Sequence, residues 1–273
     1  VRIIQISDTH VSRTHSHFAD NLRAIRAWLG ENPADLIVNT GDLSMNGAVS
    51  ADDLDDAVAW HRDLGAPVAC IPGNHDVGDL ASLRADQVLD DARLARYRWT
   101  RDADGWRLVG INAMLCSTGH RDEREQEAWL EAALATTAPV ALFLHKPLYV
   151  SDPGEGPHGY WTIRPEARGR VLAIMGRADI RLVASGHLHV ARHATFSGQS
   201  HVWGPSSAFV CGPSQTDIPG NRQVGVAVHD LSSDGVAESR FVFPTAAADL
   251  PIDPHLDAIY PAPAPTDAQG QAA

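Results

Sequence analysis

The chain has 273 residues, is 44% hydrophobic, and carries a net charge of -12 from 22 Lys and Arg against 34 Asp and Glu. That length suits one large α/β domain with ample core. The acidic balance excludes a polyanion held by charge, which needs clustered Lys and Arg, so no nucleic-acid polymer is expected as partner. It leaves room for a small phosphorylated substrate wherever bound cations set the local field. Three widely spaced cysteines make neither a zinc pattern nor a disulfide framework. No stretch reaches the length of a membrane span, and no charged-then-apolar leader is expected before the first strand. The expectation is a cytoplasmic protein with no membrane partner.

In chain order, Ile3-Ile4-Gln5-Ile6 predicts a strand that delivers Asp8-Thr9-His10 at its end. Leu22, Ile25 and Leu29 recur at helical spacing over Phe18 to Gly30, with Gly30 as the stop. Leu36-Ile37-Val38 runs into Gly41-Asp42, and Ser50 caps a second helix with Leu54, Ala57, Val58 and Leu64 inward. The acids Asp52 to Asp56 are expected as a solvated helix start. Val68 to Ile71 leads to Gly73-Asn74-His75-Asp76. Arg84 to Tyr97 predicts a third helix, Trp106 to Asn112 a strand, and Glu123 to Ala135 a fourth helix with Trp129, Leu130, Ala133 and Leu134 inward. Val140 to Leu144 ends at His145, and Pro165 opens a fifth helix to Met175. Leu182 to Ala184 precedes Gly186-His187-Leu188-His189.

Beyond that block four strand-like stretches follow: His193 to Ser197, His201 to Trp203, Gln223 to Leu231 and Val236 to Phe243. A parallel first half followed by a meander predicts an α/β fold of two sheets packed face to face with helices outside. Residues 1–243 are assigned to this domain. From Pro244 to Ala273 the chain turns Pro/Ala-rich and loses periodicity, which predicts a tail extended over the surface or partly disordered.

The five blocks would bring carboxylate, imidazole and amide oxygen donors to one rim at strand ends, where open α/β sheets place their sites. On an extended chain Asp8 and His10 point to one side, as do His187 and His189, although a loop there could direct these two to different ions. Asp42 has two oxygens with which to bridge cations about 3.5–4 Å apart. Gly41, Gly73 and Gly186 each precede a proposed donor, where a Cβ would block close approach. Nitrogen and oxygen donors without thiolate suit Fe, Mn, Zn or Co. His15, His17, His61, His120, His193, His201, His229 and His255 carry no motif and are expected at the surface or half-buried. In the loop Ser151 to Arg164, the residues His158, Tyr160, Trp161 and Arg164 are candidates to meet substrate. Lys146 and the segment Trp203 to Ser207 are weaker candidates for the pocket.

These blocks, in this order from Val1 to about His189, resemble the signature of the calcineurin-like metallophosphoesterases. The segments Ile6 to His10, Ile71 to Asp76 and Glu127 to Glu131 are similar to those of bacterial class III cyclic-nucleotide phosphodiesterases and related glycerophosphodiesterases. The resemblance implies a four-layer αββα sandwich of two mixed sheets and a dinuclear metal centre. It implies Asp8, His10, Asp42 and His189 on the first metal, and Asp42, Asn74, His145 and His187 on the second. His75 would sit by the substrate phosphate, stabilising charge or protonating the leaving oxygen while a metal-bridging hydroxide attacks phosphorus. A dimer or larger assembly is also implied.

One position departs from that pattern. Where the family often has an acid or Asn that orients the histidine, this chain has Met45, so either Asn46 or Asp76 serves instead or His75 is less well fixed. The reading is hydrolysis of small phosphodiesters of cyclic-nucleotide or glycerophosphodiester type. A phosphomonoesterase is the first alternative. A non-catalytic scaffold is the second, although such a protein would be expected to lose donors that are all present here. A nuclease is disfavoured by charge.

Overall fold

The pleat of strand β1 (Arg2–Ile6) sends Ile3 into one apolar cluster and Ile4 and Ile6 into another, so this strand has a packed layer on each face. The computed structural model describes residues 1–78, 98–215 and 217–260. Around β1 stand β2 (Leu36–Asn39) and β3 (Val68–Cys70), both running parallel, and on its other side β10 (Val226–Leu231), antiparallel to β1, and β11 (Ala237–Val242), antiparallel to β10. The sheet order is β11-β10-β1-β2-β3.

A second sheet has the order β4-β5-β6-β7-β9-β8. Its strands are β4 (Trp99–Ala103), β5 (Trp106–Gly110), β6 (Val140–Leu144), β7 (Ile180–Ser185), β8 (Arg192–Phe196) and β9 (Gln199–Trp203). The four central strands are parallel and the two edges antiparallel, so both sheets are mixed.

Between the sheets, Leu36, Val38 and Ala227 meet Phe143, Leu182 and Val202. Each of the five larger side chains, fully buried, contributes about 1.5–3 kcal/mol. Helix α1 (Ala19–Glu31) closes the outer face of the first sheet with Ile25 and Leu29 against Ile4 and Ile37, and α2 (Ala51–His61) packs beside it through Trp60. On the far side α4 (Arg121–Ala133) and α5 (Pro165–Met175) lay Leu130, Val171 and Met175 on Val109, Leu142 and Val183. The result is the expected four-layer αββα sandwich. Among the described residues two four-residue helices are also present, α3 (Asn74–Val77) and α6 (Leu256–Ile259). Among the described residues no helix is long and apolar enough to cross a membrane.

One buried polar residue joins the layers. Gln5 Nε2 donates to Thr40 Oγ1 at 2.9 Å and to the Ser185 carbonyl at 3.0 Å, which ties the C-terminal ends of β1, β2 and β7 to one another.

Local expectations meet the structure unevenly. Ser50 caps α2 by accepting from the Asp53 amide, and Pro165 to Met175 is helical over the expected span. Gly30 does not stop α1, which continues to Glu31. Asp53 is buried, not solvated; it accepts from Ser12 Oγ and the Asn46 amide. His61, His201 and His229 are buried as well, because each finds hydrogen-bond partners inside. The helix expected over Arg84 to Tyr97 lies outside the described residues. Of the tail from Pro244, expected as extended over the surface or partly disordered, the part up to Tyr260 folds back through a 3-10 turn and α6, burying Ile252 and Ile259, and residues 261–273 lie outside the described residues.

Candidate metal centre

Strands β1, β2, β3, β6 and β7 end at one edge of the sandwich, and their next residues are the five donor blocks. The backbone there is not extended. Asp8, His10, Asp42, His187 and His189 all have positive φ, between 43° and 69°, and they make up five of the eight non-glycine residues in that state among those described. The pairing of Asp8 with His10, and the division of His187 and His189 between two donor groups, therefore come from left-handed turns and not from the alternation of a strand. Such backbone costs about 1–3 kcal/mol per residue and persists only where surroundings enforce it. Here the enforcement is hydrogen bonding: Asp8 N to Gly41 O, His10 N to Asp42 O, and the His187 amide to Asp8 Oδ2 at 3.0 Å.

Two glycines are required by close approach. A Cβ on Gly41, which also has φ of +104°, would lie 2.5 Å from His145 Nδ1. One on Gly73 would overlap Asp42 Oδ1 and the Asp42 amide. The Gly73 position also lets His75 N donate to Asp42 Oδ1 at 2.8 Å.

Backbone carbonyls set the imidazoles. His145 Nδ1 faces Thr40 O at 2.8 Å, His189 Nδ1 faces Phe209 O at 3.1 Å, and His187 Nε2 faces Tyr160 O at 3.1 Å. A carbonyl only accepts, so the proton is assigned to each of those nitrogens, and the opposite nitrogen presents a lone pair. Those lone pairs converge on carboxylate oxygens. His145 Nε2 lies 3.4 Å from Asp42 Oδ2 and 3.2 Å from Asn74 Oδ1. His189 Nε2 lies 3.3 Å from Asp8 Oδ1 and 3.4 Å from His10 Nε2. Asp42 Oδ2 is also 3.8 Å from His10 Nε2, which puts it between both groups.

Acceptors facing acceptors in a buried place require positive charge between them. Protons can supply it: burial opposes charge on His145 and His189, yet Asp42 drives the first up, and Cys211 and Asp8 drive the second well up. Burial, with His75 and His145 respectively, holds His10 and His187 well below the usual range. Metal ions supply the charge equally well, and the donor set fits them. Asp8 Oδ1 is buried with no hydrogen-bond partner. Donor atoms of Asp8, His10 and His189 lie within 4.8 Å of one another, and so do those of Asp42, His145 and His187. Asn74 Oδ1 joins the second group because its Nδ2 donates to Tyr160 Oη at 2.8 Å, which fixes the amide's orientation.

His75 stands at the rim. A further set of donor atoms, from His10, Asp42 and His75, falls within the same 4.8 Å limit, and the His75 ring meets His10 edge-on at 4.5 Å. Neither Asn46 nor Asp76 orients it. Asp76 is spent on Leu43 N, Ser44 N, Ser44 Oγ and Gly73 N. His75 Nδ1 donates instead to the Met45 carbonyl at 2.6 Å. The Met45 side chain is fully buried, so residue 45 serves through its backbone.

The calcineurin-like phosphoesterase family model matches residues 1–191. The chain belongs to that family. The family uses two metal ions, in keeping with the two donor groups found here. No curated protein sequence is similar enough to match the chain.

Among solved structures the fold is similar to the GAP50 anchor of the Plasmodium inner membrane complex, at 14% identity and a TM-score of 0.67 over 91% of this chain and 86% of that one. It is also similar to a dimetal phosphatase from Danio rerio, at 15% identity and a TM-score of 0.59 over 89% and 99%. A purple acid phosphatase from yellow lupin matches at 14% identity and a TM-score of 0.56, over 89% of this chain and 53% of that one.

A cavity of about 490 Å³ opens over the calcineurin-like centre. Tyr160 and Trp161 form one wall; Phe209, Cys211, Ile252, Leu256 and Tyr260 form the other. Of the loop candidates, His158 and Arg164 stay outside, and Lys146 sits behind, 4.9 Å from the centre of the Tyr160 ring. The segment Trp203 to Ser207 is no wall: Trp203 is core, and Ser206 Oγ braces Asp8 through its carbonyl at 2.9 Å. Sequence reasoning missed Ser7, whose Oγ holds Asp8 Oδ2 at 2.5 Å, and Tyr260.

Proposed function

We propose that the chain is a dinuclear phosphodiesterase for small diesters, of cyclic-nucleotide or glycerophosphodiester type. Asp8, His10, Asp42 and His189 would hold one metal, and Asp42, Asn74, His145 and His187 the other, with Asp42 shared. When bound, two such cations, of Fe, Mn, Zn or Co type, polarise phosphoryl oxygens and make a water acidic enough to attack near neutral pH.

The observation that carries the diester reading is the lining of the cavity. Among the described residues it contains no Lys and no Arg, and both walls are largely apolar. A diester is a monoanion with two organic groups, which such apolar walls suit. His75 Nε2 faces the cavity, where it can hydrogen-bond a phosphoryl or leaving oxygen. Met45 O holds the ring in that orientation, and Tyr160 and Trp161 exclude water from one side. Cys70, Cys116 and Cys211 are free, which supports a reducing, cytoplasmic setting.

The test is manganese-loaded protein assayed on bis(4-nitrophenyl) phosphate and 4-nitrophenyl phosphate. The expected result is a higher kcat/KM on the diester. A strong preference for the monoester contradicts the reading and favours a phosphomonoesterase.

A further inference from the structure

Tyr260 closes one side of the cavity from the C-terminal segment, and its hydroxyl lies 3.1 Å from His75 Nε2. Met45 O holds Nδ1 at 2.6 Å, so the Tyr260 hydroxyl, which can donate or accept, is the hydrogen-bond partner of the opposite nitrogen. One bond to a carbonyl leaves an imidazole free to tilt about that contact. A second bond at the opposite nitrogen removes the tilt.

The segment that brings Tyr260 there is anchored to the pocket wall. Val210 N donates to Leu250 O at 3.0 Å, Ile252 N to Val210 O at 3.0 Å, and Gly212 N to Asp253 Oδ2 at 2.7 Å. Ile252 and Ile259 are buried against Phe209 and its neighbours. The Tyr260 ring itself is 44% exposed, and with Val49, Ile252 and Leu256 it makes an apolar surface beside His75 inside the same cavity. An exposed tyrosine held at a catalytic-site histidine, on a segment fixed at several points, is placed for contact with substrate.

We infer that Tyr260 is a positioning residue for His75, and that its ring with Val49, Ile252 and Leu256 forms the subsite for one apolar ester group of the substrate; this rests on the phosphodiesterase reading above. The hydroxyl and the ring have separable tasks. The hydroxyl steadies the imidazole and so acts on turnover. The ring covers the ester group and so acts on binding.

Steady-state kinetics of metal-loaded Y260F, Y260A, H75A and the Y260F/H75A pair on bis(4-nitrophenyl) phosphate, with thermal melts of each, tests this. Y260F is expected to lower kcat about fivefold with KM nearly unchanged, the effect of one lost hydrogen bond. Y260A is expected to raise KM about tenfold in addition, from lost apolar contact. In the H75A background, Y260F is expected to change kcat no further. Wild-type kinetics in both Tyr260 variants, or an equal loss with and without His75, overturns the inference and leaves the function standing. A wild-type protein that turns over no diester overturns the function, and this inference with it.

Discussion

Asp42 and Tyr260 both stand beside His75, and little else about them is alike. Asp42 is 2% exposed, sits in left-handed backbone at the end of β2, and accepts from the His75 amide. Tyr260 is 44% exposed, lies 185 residues after His75 in the chain, and reaches Nε2 of its ring. Asp42 belongs to the pocket floor, where strained backbone, packed glycines and carbonyl-held imidazoles allow one arrangement. Tyr260 belongs to a wall made of aromatic and aliphatic side chains on loops. The difference teaches that the floor decides what chemistry is done, and the walls decide on what.

Removing the shared carboxylate is the severest way to break the floor. Asp42→Asn should lower kcat by about a thousandfold or more, because both cations lose a charged donor. The same variant should retain less metal after dialysis, read by elemental analysis, while wild-type retention would show that Asp42 does not bridge.

A gentler intrusion is Gly41→Ala. Its methyl group meets the His145 ring and adopts a backbone state that alanine avoids. We expect about 3 kcal/mol of lost stability in urea unfolding, together with weaker metal retention.

The floor also rests on neutral buried histidines. His61 accepts from Asn39 Nδ2, whose Oδ1 in turn holds the Gly41 amide at 2.9 Å. Burial lowers His61 and His201 to about 4 and His229 to about 3. The unfolded chain takes up these protons near pH 6.5, before the folded one does. Stability is therefore full above that pH and falls as the solution is acidified toward pH 4, by about 1.4 kcal/mol per pH unit for each group. Melting temperatures between pH 7 and 5 should show the decline, and His229→Gln should flatten it. A melting temperature constant over that range would contradict the burial account.

The smallest effect is expected at the wall opposite Tyr260. Tyr160→Phe removes the hydroxyl that turns the Asn74 amide, so Mn²⁺ affinity should fall about fivefold, measured by calorimetry. An unchanged affinity would place Tyr160 in substrate contact alone.

The contrast between floor and wall also governs what could be read from the amino-acid order. The donors were legible because each follows a short apolar β-branched run, and the seven proposed ligands do converge in space. Their means of convergence were not legible. Left-handed turns replace the extended geometry expected for Asp8 with His10, and nothing in a side-chain pattern announces a positive φ at an aspartate. Nor do backbone carbonyls carry a signal, so the substitute for a missing acid at residue 45 was sought among Asn46 and Asp76 and found at the Met45 carbonyl. Strand β4 escaped notice because its burial pattern is mostly exposed, leaving no apolar run in Trp99–Ala103. Tyr260 lay in a stretch whose Pro/Ala composition suggests no order, yet Ile252 and Ile259 anchor it. Long-range contacts of that kind follow from packing, which composition does not encode.

The central claim is a floor built for two cations sharing Asp42. Calorimetric titration of Mn²⁺ into metal-stripped protein tests it most directly. The account predicts two equivalents bound per chain in the wild type, and a stoichiometry that drops in Asp42→Asn. Saturation at one equivalent or none, or a stoichiometry indifferent to Asp42, would contradict it.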